Sequence, residues 1–302
     1  MASARRAYAV AMTGPIVTAA WLRAALERPD VRVVDCRYRL GEPGAGEQLW
    51  REGHIPGAAF LDVDRDLAAP PGERGRHPLP SAERFEVAAR RAGIGAGTLV
   101  IAYDEAGEGG AARLWWLLRH FGHEEVAVLD GGLRGWREAG GALRAGPEEV
   151  EPGDFQARPR ERDTASAEEL GRAPDAGEPG SSVHAGPPTL LDARAPERYR
   201  GEVEPVDPVA GHIPGAVNLP FAELAPGGRF LPAGELRARF EAAARHGGGD
   251  FVAYCGSGIT ACVVVLAAEI TGLDPVRLYP GSWSEWSGRG LPVELGDSSA
   301  RQ

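Results

Sequence analysis

Short apolar runs alternate with helix-like stretches along the chain. In the first half, runs at residues 32–34, 98–103 and 125–129 are separated by helix-like stretches at 81–92 and 111–121. Short buried runs that alternate with helices are typical of a parallel sheet covered on both faces. The pattern therefore predicts an α/β fold with two domains, each a mostly parallel sheet flanked by helices on both faces.

The chain also contains a long internal repeat. The segment Gly53–Ala58, GHIPGA, recurs without change at Gly211–Ala216. Three flanking pairs of segments correspond in the same order, namely 33–37 with 190–194, 99–104 with 250–255, and 128–136 with 278–286. A repeat of this length indicates that the two halves are copies of one structural unit.

The segment between the copies has a different composition. Residues 140–159 are rich in Gly, Pro, Glu and Arg and show little periodicity, which indicates an exposed linker. We expect one domain over residues 1–148, a linker over 149–162 and a second domain over 163–302. The length of 302 residues fits two domains of roughly 150 residues each.

Composition and charge narrow the functional class. The net charge of -10 argues against nonspecific nucleic-acid binding. The longest strongly apolar run, Ala261–Ala268, is far shorter than the roughly 20 residues of a membrane-spanning helix. Residues 1–17 lack the continuous apolar stretch of a secretory signal, so we expect a cytoplasmic protein. In such a compartment its 3 cysteines stay reduced and do not form a disulfide framework.

One cysteine stands at a position suited to chemistry. Cys255 follows the apolar run 251–254 and precedes a glycine-rich turn that leads into a helix-like stretch from Ala261. Open α/β sheets place their ligands at this edge. Backbone N–H groups of the turn and the positive end of the following helix both stabilise an anion there. The turn thus predicts a Cys255 thiolate that is nucleophilic at neutral pH, whereas the ordinary alternative is an inert buried thiol.

The other two cysteines and the equivalent turn of the first copy are less promising. Cys262 and Cys36 are expected to be packing residues, and neither has the spacing of a zinc ligand. The position equivalent to Cys255 is Asp104, in an acidic loop that we expect not to hold a thiolate. The first domain is therefore predicted to be non-catalytic and to shape a cleft against the second.

Several of these segments together resemble a known family. The duplicated GHIPGA, the Asp-x-Arg strand ends, the tryptophan pair at 115–116, and the segments DGGLRGW and PGSWSEW are similar to those of tandem-domain rhodanese sulfurtransferases. The loop Cys255–Thr260, CGSGIT, resembles the 3-mercaptopyruvate type, because the thiosulfate type carries arginine and lysine directly after the cysteine. The resemblance implies two tandem rhodanese-like domains and sulfur transfer through a Cys255 persulfide, without a metal or organic cofactor. It implies a small-molecule donor and cyanide, a thiol or thioredoxin as acceptor, and no nucleic-acid or membrane partner.

The resemblance also implies roles for particular residues. Arg194 would bind the substrate carboxylate, with Arg200 as a second candidate; the alternative for both is a salt bridge to Asp192 or to a loop carboxylate. The loop residues implied in substrate binding are Gly256, Ser257, Gly258, Ile259 and Thr260.

We expect different roles for the two histidines of the repeated motif. Both His54 and His212 precede Ile-Pro-Gly-Ala, and a motif present in both copies must chiefly serve the fold. His54 is kept as a candidate accessory residue that protonates or orients substrate. The repeated Asp35 and Asp192 are expected to be structural, and the tryptophans at 115, 116, 136 and 286 are expected to pack.

Three other functions compete with this interpretation. A phosphatase of the same domain type would need a longer loop and an arginine where Ala261 stands, which argues against it. Thiosulfate:cyanide sulfur transfer shares the persulfide intermediate and stays open. A non-catalytic sulfur carrier or regulatory module is the third, and the intact cysteine loop argues against it.

Overall fold

The strands form two parallel sheets, one in each half of the chain. The computed structural model describes residues 14–171, 188–244, 250–273 and 275–297. The first sheet has the order β1-β5-β4-β2-β3 and contains β1 (Ile16–Val17), β2 (Val31–Asp35), β3 (Ala59–Phe60), β4 (Leu99–Tyr103) and β5 (Val126–Leu129). The second has the order β7-β6-β8-β9 and contains β6 (Thr189–Asp192), β7 (Val217–Asn218), β8 (Phe251–Tyr254) and β9 (Arg277–Leu278).

Helices connect these strands in both halves. Those of the first half are α1 (Ala19–Ala25), α2 (Ala45–Glu52), α3 (Ala82–Arg91), α4 (Gly110–His120) and α5 (Gly132–Glu138). Those of the second are α6 (Ala167–Leu170), α7 (Pro196–Tyr199), α8 (Phe221–Leu224), α9 (Ala233–Ala244), α10 (Ala261–Thr271) and α11 (Ser282–Gly288). Thr18, Ser81 and Ser166 each accept a backbone N–H three residues on, which fixes the starts of α1, α3 and α6.

Both faces of each sheet are buried, as the apolar runs predict. Along β4, Val100 and Ala102 pack toward α3 and α4, whereas Leu99, Ile101 and Tyr103 pack on the opposite face with α1 and α5. The second sheet is sandwiched in the same manner, between α8, α9 and α10 on one face and α6 and α11 on the other. The predicted α/β fold, with helices on both faces of parallel sheets, is confirmed.

The two halves share one core at their interface. Helices α4 and α10 are almost entirely buried and belong to the same apolar cluster. Trp115 and Trp116 are buried there, and Trp136 and Trp286 are buried on the outer faces of their own sheets. Because the carboxyl ends of β4 and β8 both lead into these paired helices, the turns at Asp104 and Cys255 lie near the contact between the halves.

The repeated GHIPGA segment forms the same turn in both copies. His54 and His212 are fully buried and pair by backbone hydrogen bonds with Arg144 and Glu294, respectively. The Nδ1 atom of each lies within hydrogen-bond distance of a carbonyl oxygen, that of Trp50 at 2.7 Å and that of Tyr199 at 2.8 Å. These shared contacts explain why the motif is kept in the copy that has no cysteine at its turn.

The segment 149–162 contains no helix or strand, and most of its residues are exposed. Phe155 is buried against Phe85, and the backbone N–H of Gly153 bonds to the carbonyl of Arg90. The segment is thus exposed, as its composition indicated, and one buried aromatic side chain anchors it to the first core. The proposed bounds 1–148 and 163–302 stay predictions.

In the ranges described, no helix combines the length and apolar character needed to cross a membrane. Most of the N-terminal segment considered for a signal sequence lies outside those ranges, at residues 1–13.

Candidate active site

Cys255 lies directly after β8, inside a loop whose N–H groups surround its sulfur. The Sγ atom accepts hydrogen bonds from the backbone N–H of Gly258 at 3.1 Å and of Ser257 at 3.4 Å. Its own N–H bonds to Ser282 Oγ, and its side chain is only slightly exposed. Two converging N–H donors stabilise a negative charge on sulfur, and α10 adds the positive end of its dipole.

The loop needs glycine at a defined point. Gly258 has φ +82°, and a Cβ there would lie 2.5 Å from the carbonyl oxygen of Pro280. Only glycine tolerates both the left-handed backbone and this approach. Helix α11 fixes the other side, since the N–H groups of Trp283 and Ser284 bond to the carbonyls of Cys255 and Gly256.

The first half contributes a histidine that sequence reasoning missed. The Nδ1 atom of His77 lies 2.7 Å from Ser257 Oγ, and its Nε2 atom lies 2.9 Å from Asp64 Oδ1. His77 is buried, so the chain Asp64–His77–Ser257 crosses the interface and fixes the serine hydroxyl beside Cys255. One signal could have found it, since the Gly-Arg-His of 75–77 corresponds to Gly-Arg-Phe at 228–230 in the second copy.

Two guanidinium groups approach the loop at Gly256. A Cβ built on Gly256 would lie 3.4 Å from Nη2 of Arg76 and 3.7 Å from Nη1 of Arg198. Arg76 comes from the first half and Arg198 from α7 in the second. Arg198 also pairs with Glu204 at 2.6 Å, and both arginines contact Asp207. The loop itself is uncharged, so these side chains supply the positive charge beside it.

A third arginine supports the loop from beneath. Arg113, on α4 of the first half, is fully buried and donates to the carbonyl oxygens of Gly258, His77 and Leu67. Burial lowers the pKa of Arg113, and negative charge on the nearby Cys262 and Cys255 would oppose that effect only in part. A buried cation bound to carbonyls favours an anion nearby, so Arg113 couples the first half of the chain to the Cys255 thiolate.

We expect Arg113→Met to slow the alkylation of Cys255 by iodoacetamide at pH 7 by about tenfold, because it removes about 1.4 kcal/mol of thiolate stabilisation. Arg113→Lys keeps the charge and should lose much less. The measurement is the second-order alkylation rate of Cys255 by mass spectrometry, with circular dichroism to verify folding. Equal rates in the wild type and both folded variants would show that the buried charge has no influence on the thiolate.

The equivalent turn of the first copy holds a carboxylate in the place of sulfur. Asp104 is buried, and its oxygens accept the N–H groups of Gly107 at 2.7 Å, Gly109 at 3.0 Å and Ala111 at 3.2 Å. Burial raises the pKa of Asp104, and these N–H groups offset part of that rise because they stabilise the carboxylate. The first turn has therefore kept the anion-binding shape of the second, and its own side chain fills it.

Arg194 is placed in a buried ion pair. Its guanidinium bonds to both oxygens of Asp192, donates to the carbonyl of Gly211 and stacks on Trp283. Burial disfavours its charge, but Asp192 raises its pKa above the ordinary value. Arg37 and Asp35 make the same pair in the first copy, which has Asp104 in place of Cys255. This is the salt-bridge alternative from the sequence analysis, and a direct contact of Arg194 with substrate stays a prediction.

The structure does not gather the other predicted residues at the loop. Arg200 is partly exposed and pairs with Glu202 at 2.8 Å. His54 has Nδ1 against Trp50 and Nε2 at 3.2 Å from Glu148, so both nitrogens are engaged within the first half. Their roles toward substrate stay predictions.

The remaining cysteines, Cys36 and Cys262, are fully buried. Burial raises the pKa of Cys262 to about 12, and that of Cys36 well above its usual range. The Cys262 thiol lies 3.4 Å from the carbonyl oxygen of Gly258. Among the residues described, no group of three or more His, Cys, Asp or Glu side chains is arranged to hold a metal ion.

Comparison with known proteins finds similarity over nearly the whole chain. The family model for the rhodanese-like domain matches residues 18–139 and 175–289. A probable 3-mercaptopyruvate sulfurtransferase of Pseudomonas aeruginosa is 45% identical, covering 93% of this chain and 98% of the relative. A putative thiosulfate sulfurtransferase, SseB, of Mycobacterium tuberculosis is 42% identical, covering 90% and 93%. The 3-mercaptopyruvate sulfurtransferase structure from Leishmania major superposes with a TM-score of 0.77 at 28% identity, covering 91% of this chain and 75% of that one.

Proposed function

Because this chain belongs to the rhodanese family and is a sulfurtransferase with two rhodanese-like domains, we propose that Cys255 takes sulfur from 3-mercaptopyruvate and passes it to a thiophilic acceptor. The observation that carries this choice of donor is the uncharged loop, with two guanidinium groups beside Gly256 instead of within the loop. A carboxylate can bind these arginines while the donor sulfur approaches Cys255. The relatives named for 3-mercaptopyruvate support the same donor.

The first step transfers sulfur to the enzyme. The Cys255 thiolate attacks the sulfur of 3-mercaptopyruvate, an S–S bond forms and the C–S bond breaks. The electron pair of that bond goes to the methylene carbon, which becomes the enolate of pyruvate. The proton of the donor thiol ends on this carbon, so the products are pyruvate and the Cys255 persulfide anion. We assign this proton transfer to Ser257, whose hydroxyl is held by His77 beside Cys255.

The second step returns the cysteine to its thiolate. Cyanide attacks the outer sulfur of the persulfide and leaves as thiocyanate, while the S–S electron pair returns to Cys255. A small thiol or reduced thioredoxin accepts the sulfur by the same displacement. The N–H groups of Ser257 and Gly258 hold the persulfide as they hold the thiolate. A thioredoxin partner and a cytoplasmic location remain expectations from the sequence.

Thiosulfate is the second candidate donor. Arg76 and Arg198 supply cations close to Gly256 that the loop lacks, and the SseB relative carries a thiosulfate sulfurtransferase name. Glu204 and Asp207 balance these arginines, which disfavours the entry of a dianion. The site therefore favours a singly charged carboxylate over thiosulfate.

The experiment compares the two donors directly. Pyruvate release from 3-mercaptopyruvate and thiocyanate release from thiosulfate are measured with cyanide as acceptor on the wild type. We expect 3-mercaptopyruvate to be preferred by at least about tenfold in kcat/KM, the value of one well-placed charge interaction. A preference for thiosulfate would mean that the flanking arginines act on a dianion, and inactivity with both donors would favour the carrier or regulatory module.

A further inference from the structure

We propose that Asp207 is an internal competitor of the anionic substrate, which occupies the two arginines beside the loop and sets how strongly a donor is bound. Its Oδ1 atom lies 2.8 Å from Nη1 of Arg76, and its Oδ2 atom lies 3.4 Å from Nη2 of Arg198. One carboxylate thus spans guanidinium groups from the two halves of the chain, where the substrate carboxylate is proposed to bind. The inference rests on the proposed function of this site.

The neighbouring carboxylate, Glu204, makes more and shorter contacts with Arg198 than Asp207 does. Glu204 binds Arg198 through two short contacts, of 2.6 and 3.2 Å, and also lies 3.4 Å from Arg194. Burial raises the pKa of Glu204, but Arg198 and the N–H groups of Asp207 and Val206 outweigh it and leave it lowered. Glu204 is therefore a fixed partner that holds Arg198 in place.

Asp207 is held less firmly. Apart from its 2.8 Å contact with Arg76, its side-chain contacts are 3.4 Å long. It lies on the irregular segment 201–210, where Val203, Val206 and Val209 are exposed. The Asp207 side chain is itself buried, but it accepts three contacts where Glu204 accepts five, so a ligand that displaces it breaks fewer hydrogen bonds.

The arginines keep donors that Asp207 does not use. The Nε atom of Arg76 is buried and has no hydrogen-bond partner among the residues described. An unsatisfied buried donor on a guanidinium is costly unless a ligand completes it. A substrate carboxylate that binds here adds a second negative charge beside Asp207, so the arginines are shared or Asp207 is displaced.

Charge then decides between donors. With Asp207 in place, the pair Arg76 and Arg198 faces the two carboxylates of Glu204 and Asp207, so the formal charge of this group of four is near zero. A dianion meets twice the repulsion from Asp207 that a monoanion meets. Asp207 thus penalises thiosulfate more than 3-mercaptopyruvate, and its neutralisation should relax the donor preference.

The test is Asp207→Asn, which keeps the shape and the acceptor oxygen but removes the charge. We expect the KM for 3-mercaptopyruvate to fall about fivefold with kcat within about twofold, and the KM for thiosulfate to fall more, by about tenfold or above. The matched control is Glu197→Gln, an exposed acid one residue before Arg198 on the same helix, which should leave both KM values unchanged. Asp207→Glu keeps the charge and should retain the wild-type preference. A rise in either KM, or no change, in folded Asp207→Asn would overturn the inference and make Asp207 a residue that only positions the arginines.

A second measurement separates this inference from the choice of donor. Pyruvate, used as a simple carboxylate probe, should protect Cys255 from iodoacetamide, and Asp207→Asn should lower its half-protecting concentration about fivefold. This readout needs no turnover. If protection improves while neither donor reacts, the proposed donor fails and the role of Asp207 stands. If turnover is normal but the variant improves neither protection nor KM, the role of Asp207 fails alone.

Discussion

Cys255→Ser should abolish sulfur transfer from either donor, with a loss of at least about 10³-fold in kcat. A serine hydroxyl is not ionised at neutral pH and does not form a stable persulfide equivalent, so the double displacement has no first step. The loop N–H groups that surround the sulfur would still bind a substrate, and folding should be unaffected because the substitution changes one buried atom. The loss should therefore fall on kcat.

The measurement joins turnover with mass spectrometry of the intact protein after incubation with donor and without acceptor. The wild type should gain the mass of one sulfur atom, and Cys255→Ser should gain none. Cys262→Ser is the matched control, because its thiol lies 3.4 Å from the Gly258 carbonyl and a serine hydroxyl can donate to the same oxygen. A sulfur adduct on Cys255→Ser, or the absence of an adduct on Cys262→Ser, would show that a cysteine other than Cys255 takes up the sulfur.

The second large effect concerns stability. Arg194→Met and Arg37→Met should each lower the free energy of unfolding by about 3 to 5 kcal/mol, because each leaves a fully buried aspartate without its partner. The two pairs are equivalent, since Asp192 and Asp35 are buried and each is bound at both oxygens by its arginine. Urea denaturation of the two variants beside the wild type gives the comparison.

The same pair of variants tests the predicted role of Arg194 in substrate binding. Arg37 lies in the copy without a nucleophile. Arg37→Met therefore shows how the loss of such a buried ion pair affects KM when the residues around Cys255 are unchanged. KM values are measured well below the unfolding transition of each variant. Similar small changes of KM in both variants would show that Arg194 serves only the fold. A tenfold higher KM for 3-mercaptopyruvate in Arg194→Met alone would support its predicted contact with the substrate carboxylate.

Sequence reasoning succeeded where the cause is local or repeated. The alternation of apolar runs and helices predicted the sheets, because burial on both faces of β4 or β8 demands an uninterrupted apolar strand. The candidate nucleophile was found for the same reason, since the strand, the glycine turn and the helix that surround Cys255 are adjacent in sequence. The repeat also identified GHIPGA as part of the fold, and both histidines are buried in matching turns.

What the sequence by itself determined about this protein is thus its two sheets, its duplication and the cysteine turn, each set by neighbouring residues. Only the tertiary structure decided what surrounds that turn. Arg76, His77 and Arg113 belong to the first half, which has Asp104 in place of Cys255, and they reach the loop only because α4 and α10 pack together. It also decided the environment of Arg194, since an Asp-x-Arg strand end reads alike whether the guanidinium faces a ligand or a buried aspartate. Contacts between distant segments depend on how two surfaces dock, and a pattern of neighbouring residues carries no information on that geometry.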